Sequence, residues 1–510
     1  MTQTIATIAL VIFAVFMLLI GILSMRKTQT MEGFLLGGRN MGPWISAFAY
    51  GTSYFSAVVF IGYAGMHGWK IGIGSIWIGI GNALVGCYLA WKLLARRTRS
   101  MTHRIQASTT PEFLQERFGS SSMKIYAAVI IFVFLVPYAA SVYKGLGVLF
   151  SAIFPGASEV VCMAIVAGLT AVYLVLGGYV ATAVNDFIQG IIMLVGVVLL
   201  VVAILTRPEV GGIAGMFEQL AVVPASEVVP GGGSQLVNFW GGDSLQFLLT
   251  NILLTSIGVW GLPQMVHKYY TISDESQINK ATIISTVFAL VIGIGAYLVG
   301  STSHLFLEAA PDGAPLVGYD NVMPTILMQA LTGNVWLNIL LSIIMLLLLS
   351  ASMSTLAAIV LTSSSAISVD IVKAVKPGIS DKSQMLIMRL LCLLFVVLSF
   401  IFATLNISFI VNIMSFSWGV VAGSFIGPYI WGLYSKKVTK AGAWAGTLSG
   451  LVVVGVLLII FTAASGFEAA KALAPEFGVA AMAVSLIAVP VVSLFTKKLD
   501  PSIIEKCFNK

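Results

Sequence analysis

Long apolar runs, each about the length of a membrane-spanning helix and parted by short polar segments, repeat from one end of the chain to the other. They lie near 5–24, 44–64, 72–95, 124–152, 158–178, 184–205, 243–267, 281–305, 335–370, 385–404, 408–433, 441–463 and 476–496. A helix needs about 20 apolar residues to cross the hydrocarbon layer. The runs are continuous, without the two-residue alternation of a transmembrane barrel. The pattern therefore predicts an all-α integral membrane protein of about 13 transmembrane helices.

The ninth run changes character halfway along. It starts apolar all round after Asn338, then reads SASMSTLAAIVLTSSSAISVD from Ser350 to Asp370. Ala351, Ser354, Thr355 and Ala358 are spaced i, i+3, i+4 and i+7, and Thr362 and Ser365 continue the stripe. Small and hydroxylic stripes serve close helix packing in membranes. They also offer neutral oxygens to an alkali cation if a broken helix nearby frees carbonyls to complete the shell.

Composition agrees with the spans: of 510 residues 58% are hydrophobic and 9% charged, with a mean hydropathy of +1.00. Four widely spaced cysteines, Cys87, Cys162, Cys392 and Cys507, indicate neither a disulfide framework nor a metal cluster and read as small buried hydrophobes. The net charge of +7 is a topology signal and not a nucleic-acid footprint. The N-terminal run has no basic segment before it and no small-residue cleavage site, so it reads as a retained span with residue 1 outside and Arg26, Lys27 and Arg39 inside. On that register 23 of the 27 Lys and Arg fall on the cytoplasmic side, with Lys70, Lys144, Arg207 and Lys471 as exceptions. The C-terminus is then cytoplasmic, and one missed span would invert every later loop. Two outside loops are long, Thr206–Gly242 and Phe306–Asn334, and neither carries a metal or phosphate motif. No soluble output domain is expected at either end.

Two spans look broken. The second contains Gly51-Thr-Ser-Tyr-Phe-Ser at mid-membrane depth, and the seventh contains Gly258, Gly261 and Pro263 together. Pro263 cannot donate a backbone hydrogen bond, so a carbonyl one turn earlier loses its helical partner. Interrupted spans five apart point to an inverted-repeat transporter with its site at the midplane. The repeats would be 44–205 and 243–433, separated by the 206–242 loop, with 1–43 and 434–510 peripheral.

Several ordered motifs then identify a family resemblance: Leu36-Gly-Gly-Arg-Asn-Met-Gly-Pro, Thr110-Pro-Glu-Phe-Leu-Gln-Glu-Arg-Phe, Gly177-Gly-Tyr-Val-Ala-Thr-Ala-Val-Asn-Asp-Phe-Ile-Gln, Ser354-Thr355 with Ser363-Ser-Ser-Ala-Ile-Ser-Val-Asp, and Gly427-Pro with Thr439-Lys-Ala-Gly-Ala-Trp-Ala-Gly. The chain resembles the sodium:solute symporter family over nearly its whole length. The resemblance implies a LeuT-type core of five plus five inverted helices, with one N-terminal and two C-terminal peripheral helices. It also implies Na+ as coupling ion, held by the carbonyls of Thr52, Phe55 and Ala351 and the hydroxyls of Ser354 and Thr355. Ala357 and Ala358 stand where some relatives have further hydroxyls, which implies one Na+ per cycle. Asp186 matches a family aspartate on the sodium exit path; its other reading is an acid satisfying free N–H groups at a helix start.

The solute would sit between the broken helices, with Ser53, Tyr54, Ser56, Tyr138, Trp260, Gln264 and Ser415 as candidate contacts. Tyr54, Val58, Val59 and Thr255 depart from the proline and sugar transporters of the resembled family. Lys144 inside the fourth span is costly unless paired or facing water; it either meets an anionic solute or snorkels into a structural pairing. A small organic acid or amino acid is favoured. The expected partners are the solute and the bilayer of the cell membrane, with neither nucleic acid nor an obligate protein partner. An embedded enzyme is disfavoured, since the spans hold no HExxH, no paired carboxylates and no Ser/His/Asp set. Proton coupling, or a sensor or channel of the same fold, is the alternative.

Overall fold

The computed structural model describes residues 2–24, 30–405 and 407–508; Arg26 and Lys27, assigned above to the inner side, lie outside that set. Its principal helices are α1 (Thr2–Ser24), α2 (Pro43–Tyr54), α3 (Ala64–Ile71), α4 (residues 76–104), α5 (Ser121–Ile153), α6 (Glu159–Leu205), α7 (Leu245–Gly258), α8 (Pro263–Thr271), α9 (Ile278–Ser301), α10 (Val335–Ile367), α11 (Asp381–Thr404), α12 (Ile410–Tyr434), α13 (Lys440–Ser465) and α14 (Ala474–Phe495). Among the described residues no strand forms; Met41–Ile272 and Ala309–Pro315 are isolated bridges.

Side-chain caps set many of the helix starts. Ser120, Ser158, Asn334, Ser380 and Thr439 each accept the amide three residues on, satisfying a donor that the helix cannot. Among the described residues eleven stretches are long and apolar enough to cross a membrane. The count differs from the sequence reading because two stretches, residues 58–104 and 159–205, each run for 47 residues. At 1.5 Å per residue that is about twice a bilayer core. Both turn at a left-handed glycine: Gly72 (φ 52°, ψ −130°) parts α3 from α4, and Gly178 (φ 52°, ψ −151°) lies inside α6. A side chain at either is strained by the backbone alone. At Gly178 the two predicted spans follow one another directly across the bend, with no loop between them.

α10 is the axis of the packing. Its second half is buried throughout, enclosed by α1, α2, α5, α6 and α11. α9 lies close on α3 and α4, where a Cβ on Gly79 would come 2.6 Å from the Gly293 carbonyl carbon, so only glycine permits that approach. α13 and α14 sit against α12, with Gly419 facing Gly478. The outer faces of α1, α13 and α14 expose Leu23, Ile459, Leu494 and Phe495, the apolar belt of a chain solvated by lipid. The long loops are not featureless: helices form at Gly212–Leu220 and Val322–Ala330.

Of the four basic residues that the charge bias leaves as exceptions, three pair with an acid. Lys144 meets Asp320 at 3.2 Å, Arg207 meets Glu209 at 3.6 Å and Lys471 meets Glu468 at 2.8 Å. Lys70 instead lies 5.1 Å from the ring centroids of Phe247 and Tyr319.

Candidate functional site

The helix that begins at Pro43 ends at Tyr54, and Phe55 takes extended backbone (φ −104°, ψ 111°) before a π-turn over Val58–Tyr63 restarts it into α3. Amides that an unbroken helix would send to the Tyr54 and Phe55 carbonyls go elsewhere: Val58 N–H donates to Ser56 Oγ and Val59 N–H to the Ser56 carbonyl. The second break falls at Leu262 (φ −81°, ψ 119°), between a 3₁₀ turn over Val259–Gly261 and Pro263 at the first turn of α8, where its missing N–H costs nothing. Tyr54 Oη donates to the Thr255 carbonyl at 2.7 Å, tying the two broken helices together.

The hydroxyl stripe of α10 meets the first break. Thr355 Oγ1 lies 3.3 Å from the Thr52 carbonyl, 3.2 Å from that of Ser53 and 3.1 Å from that of Ala351. Ser354 Oγ donates to Thr52 Oγ1 at 2.8 Å, and Ser352 Oγ accepts the Ala57 amide at 3.0 Å. Thr52, Ala351, Ser354 and Thr355 thus converge in a buried cluster of neutral oxygens, with the extended Phe55 beside it. One hydroxyl cannot donate to three carbonyls at once, so Thr355 sits in a surplus of acceptors. A hard cation is what such a surplus suits. Among the described residues no group of three His, Cys, Asp or Glu forms a conventional metal cluster.

Beside it lies a small cavity of about 10 Å³, with room for on the order of one water. Tyr54, Ser56 and Tyr138, expected at the solute, line it. Val58, Val59 and Thr255, which the sequence marks as departures, also line it, and so do Tyr63, Asn82, Tyr297, Met414 and Trp418, which it does not single out. Aromatics scattered over five helices have no common spacing by which a sequence could group them. No charged side chain reaches the lining. Trp418 Nε1 and Tyr297 Oη are buried without partners, and Asn82 Oδ1 accepts from both Thr255 and Ser256. A wider hollow between α5, α11 and α12 is apolar almost throughout and offers little to orient a solute.

Other expected contacts stand apart from the cavity. Lys144 donates to the Ser408 carbonyl at 2.8 Å and pairs with Asp320, so the structural pairing is what α5 uses it for. Asp320 also accepts the Ile410 amide at 3.2 Å. Burial raises the Asp320 carboxyl above its ordinary range, and Lys144 and that amide pull it part of the way back. Trp260 Nε1 donates to the Val85 carbonyl at 3.0 Å and points away. Gln264 is buried with Oε1 unpartnered, and Ser53 reaches the oxygen cluster through its carbonyl. Ser415 stands one layer behind, hydrogen-bonded to Tyr63 Oη at 3.0 Å.

Asp186 is not at a helix start. It lies inside α6, 1% exposed and 3.6 Å from Lys268 Nζ, one turn before Gly190, where a Cβ would meet Thr52 Cγ2 at 3.0 Å. A titratable group therefore lies within a helical turn of the oxygen cluster.

Two helices broken at mid-depth, an oxygen cluster on a third and an enclosed polar-aromatic cavity between them define a secondary transporter. Residues 34–450 match the profile of the sodium:solute symporter family, and the chain belongs to that family. The osmoregulated proline transporter OpuE of Bacillus subtilis is 28% identical over 499 residues, covering 96% of this chain and 95% of its own. The sodium/proline symporter of Haemophilus influenzae is 29% identical over 499 residues, covering 96% and 94%. Among solved structures, the substrate-bound outward-open state of a Na+-coupled sialic acid symporter aligns with a TM-score of 0.75 at 18% identity, covering 97% of this chain and 99% of that one. That likeness gives the fold, a LeuT-type symporter architecture.

Proposed function

We propose that this chain couples the downhill entry of sodium to uptake of a small organic solute by alternating access. The observation that carries the reading is the convergence of Thr355 Oγ1 with the Thr52, Ser53 and Ala351 carbonyls at the first break. In the reading, Thr52, Phe55, Ala351, Ser354 and Thr355 hold one Na+, which binds α2 to α10 and preforms the cavity between the broken helices. Neutral oxygens replace the ion's water without holding it too tightly for release.

The solute is proposed to carry no net charge, since a buried unpaired charge would find no partner in the lining. A zwitterionic amino acid fits: Trp418 Nε1 and Tyr297 Oη are donors waiting for an acceptor, and the tyrosine faces suit an ammonium or its alkyl body. An anionic organic acid is less favoured, because Lys144 is committed to Asp320. The repeats are proposed as 44–205 and 243–433, the crossings as thirteen, and the orientation as N-terminus out and C-terminus in, on the strength of the Lys and Arg bias. The test is a screen of radiolabelled amino acids, organic acids and sugars in proteoliposomes with and without an inward sodium gradient. Accumulation of one class only with sodium supports the reading; equal uptake without sodium rejects it.

Proton coupling is the second reading, favoured by a buried carboxylate, Asp186, one helical turn before the contact of Gly190 with Thr52. Sodium-free uptake that rises at acid pH and vanishes in Asp186→Asn would select it.

A further inference from the structure

We propose that Lys268 is a built-in cation which occupies the Asp186 carboxylate whenever sodium is not passing it, and so sets how tightly sodium is held and how readily it leaves. The inference rests on the sodium-coupled reading above.

Asp186 comes from the bent helix α6 and Lys268 from α8, the helix that follows the second break, so their contact joins two separate parts of the fold. Their side chains are 1% and 3% exposed, out of reach of water. A buried carboxylate without a countercharge costs several kcal/mol, so in the sodium-coupled reading the ionised Asp186 keeps a cation beside it. Yet the pairing is loose. The Nζ–Oδ2 distance is 3.6 Å and neither carboxylate oxygen has a donor at normal hydrogen-bond length. The ammonium has a second resting place already formed, the face of Tyr179, whose ring centroid is 5.2 Å from Nζ.

Asp186 shares a face of α6 with Gly190, where a Cβ would meet Thr52 Cγ2 at 3.0 Å, so the carboxylate lies one turn from the oxygen cluster in which Ser354 donates to Thr52 Oγ1. One carboxylate thus stands between a tethered ammonium and the place proposed for sodium. It can neutralise one cation and not two. Sodium moving out of the cluster towards Asp186 must displace Lys268 onto Tyr179; once sodium has gone, the ammonium returns and bars re-entry from that side. Because the competitor is covalently attached, it acts at a fixed effective concentration at every turn of the cycle.

The test uses the full-length protein and the transported solute found in the screen above, with Lys268→Met and Lys268→Arg. Lys268→Met keeps the stem and removes the competitor: the sodium half-saturation for solute binding is expected to fall about tenfold while maximal uptake also falls, because release slows. Lys268→Arg, whose guanidinium grips a carboxylate at two points, is expected to raise the half-saturation about threefold. Adding Asp186→Asn to Lys268→Met should abolish the gain in affinity. A merely structural role would weaken sodium binding in both variants, and that result, or no change in Lys268→Arg, overturns the proposal. If Lys268→Met does not fold, Lys268→Gln, which also removes the ammonium, takes its place with the same expected fall in half-saturation. A wild-type protein that binds solute without regard to sodium sinks the coupling reading and this inference together. Sodium-dependent wild type with same-direction variants sinks this inference alone.

Discussion

Thr355 is the residue on which most depends, because a single hydroxyl sits among three carbonyls at the break. Thr355→Val keeps the shape and removes the oxygen. Its sodium half-saturation for uptake should rise at least tenfold, equivalent to about 1.4 kcal/mol, with the order of preference among solutes unchanged. Trp418→Phe makes the complementary separation: it removes an unpartnered donor at the cavity while leaving the oxygen cluster intact. Solute affinity should weaken several-fold, by the ~1 kcal/mol of one hydrogen bond, with sodium half-saturation unchanged at saturating solute. Binding isotherms in the two ligands separate these outcomes.

At the scale of elements, the bends matter more than the helices they join. A Cβ on Gly178 would meet the Phe34 ring at 2.6 Å and would also be strained at φ 52°. Gly178→Ala should destabilise the fold by roughly 1–3 kcal/mol and lower its thermal midpoint in detergent. The Lys144–Asp320 pair joins α5, the Phe306–Asn334 loop and the start of α12, and so latches one end of the bundle over the cavity. Burial lifts the Asp320 carboxyl, so the latch takes up its proton at a higher pH than a free carboxylate does. A protonated Asp320 cannot hold Lys144 as an ion pair. Acidification should therefore open that end before surface carboxylates titrate, and Asp320→Asn should leave it open across the whole range. Modification of a cysteine introduced at Tyr63, followed against pH, reports the opening.

For the whole molecule, one sodium entering with a neutral solute moves one charge per cycle. A potential of 100 mV, negative on the side of uptake, adds about 2.3 kcal/mol, or roughly 40-fold in solute accumulation, beyond what the sodium gradient supplies. Proteoliposomes clamped with a potassium diffusion potential should show that increment; its absence would mean a compensating charge, such as an anionic solute or an exported cation. The cavity, with room for on the order of one water, belongs to a closed form, and solute entry requires one end to part.

Much of this was legible in the chain itself, for a physical reason. In a bilayer each span must be apolar and helical on its own account, so span positions, the breaks at Gly51–Ser56 and Gly258–Pro263 and the stripe at Ser354 and Thr355 are local properties of the sequence. The family motifs pointed to Thr52 and Asp186 in the same way. What the chain could not disclose was which of its polar side chains face one another. Lys144 reads alike whether it meets a solute or Asp320, because its partner lies 176 positions away. Tyr63, Asn82, Tyr297 and Trp418 come from helices whose mutual rotation is decided only when glycine pairs such as Gly79 and Gly293 let the backbones close up. Lys268 is an unremarkable basic residue near a helix end until the bend at Gly178 and the break at Leu262 bring it to Asp186. The single helix makes the hydrophobic pattern; the packing of many decides where the uncompensated polar groups meet.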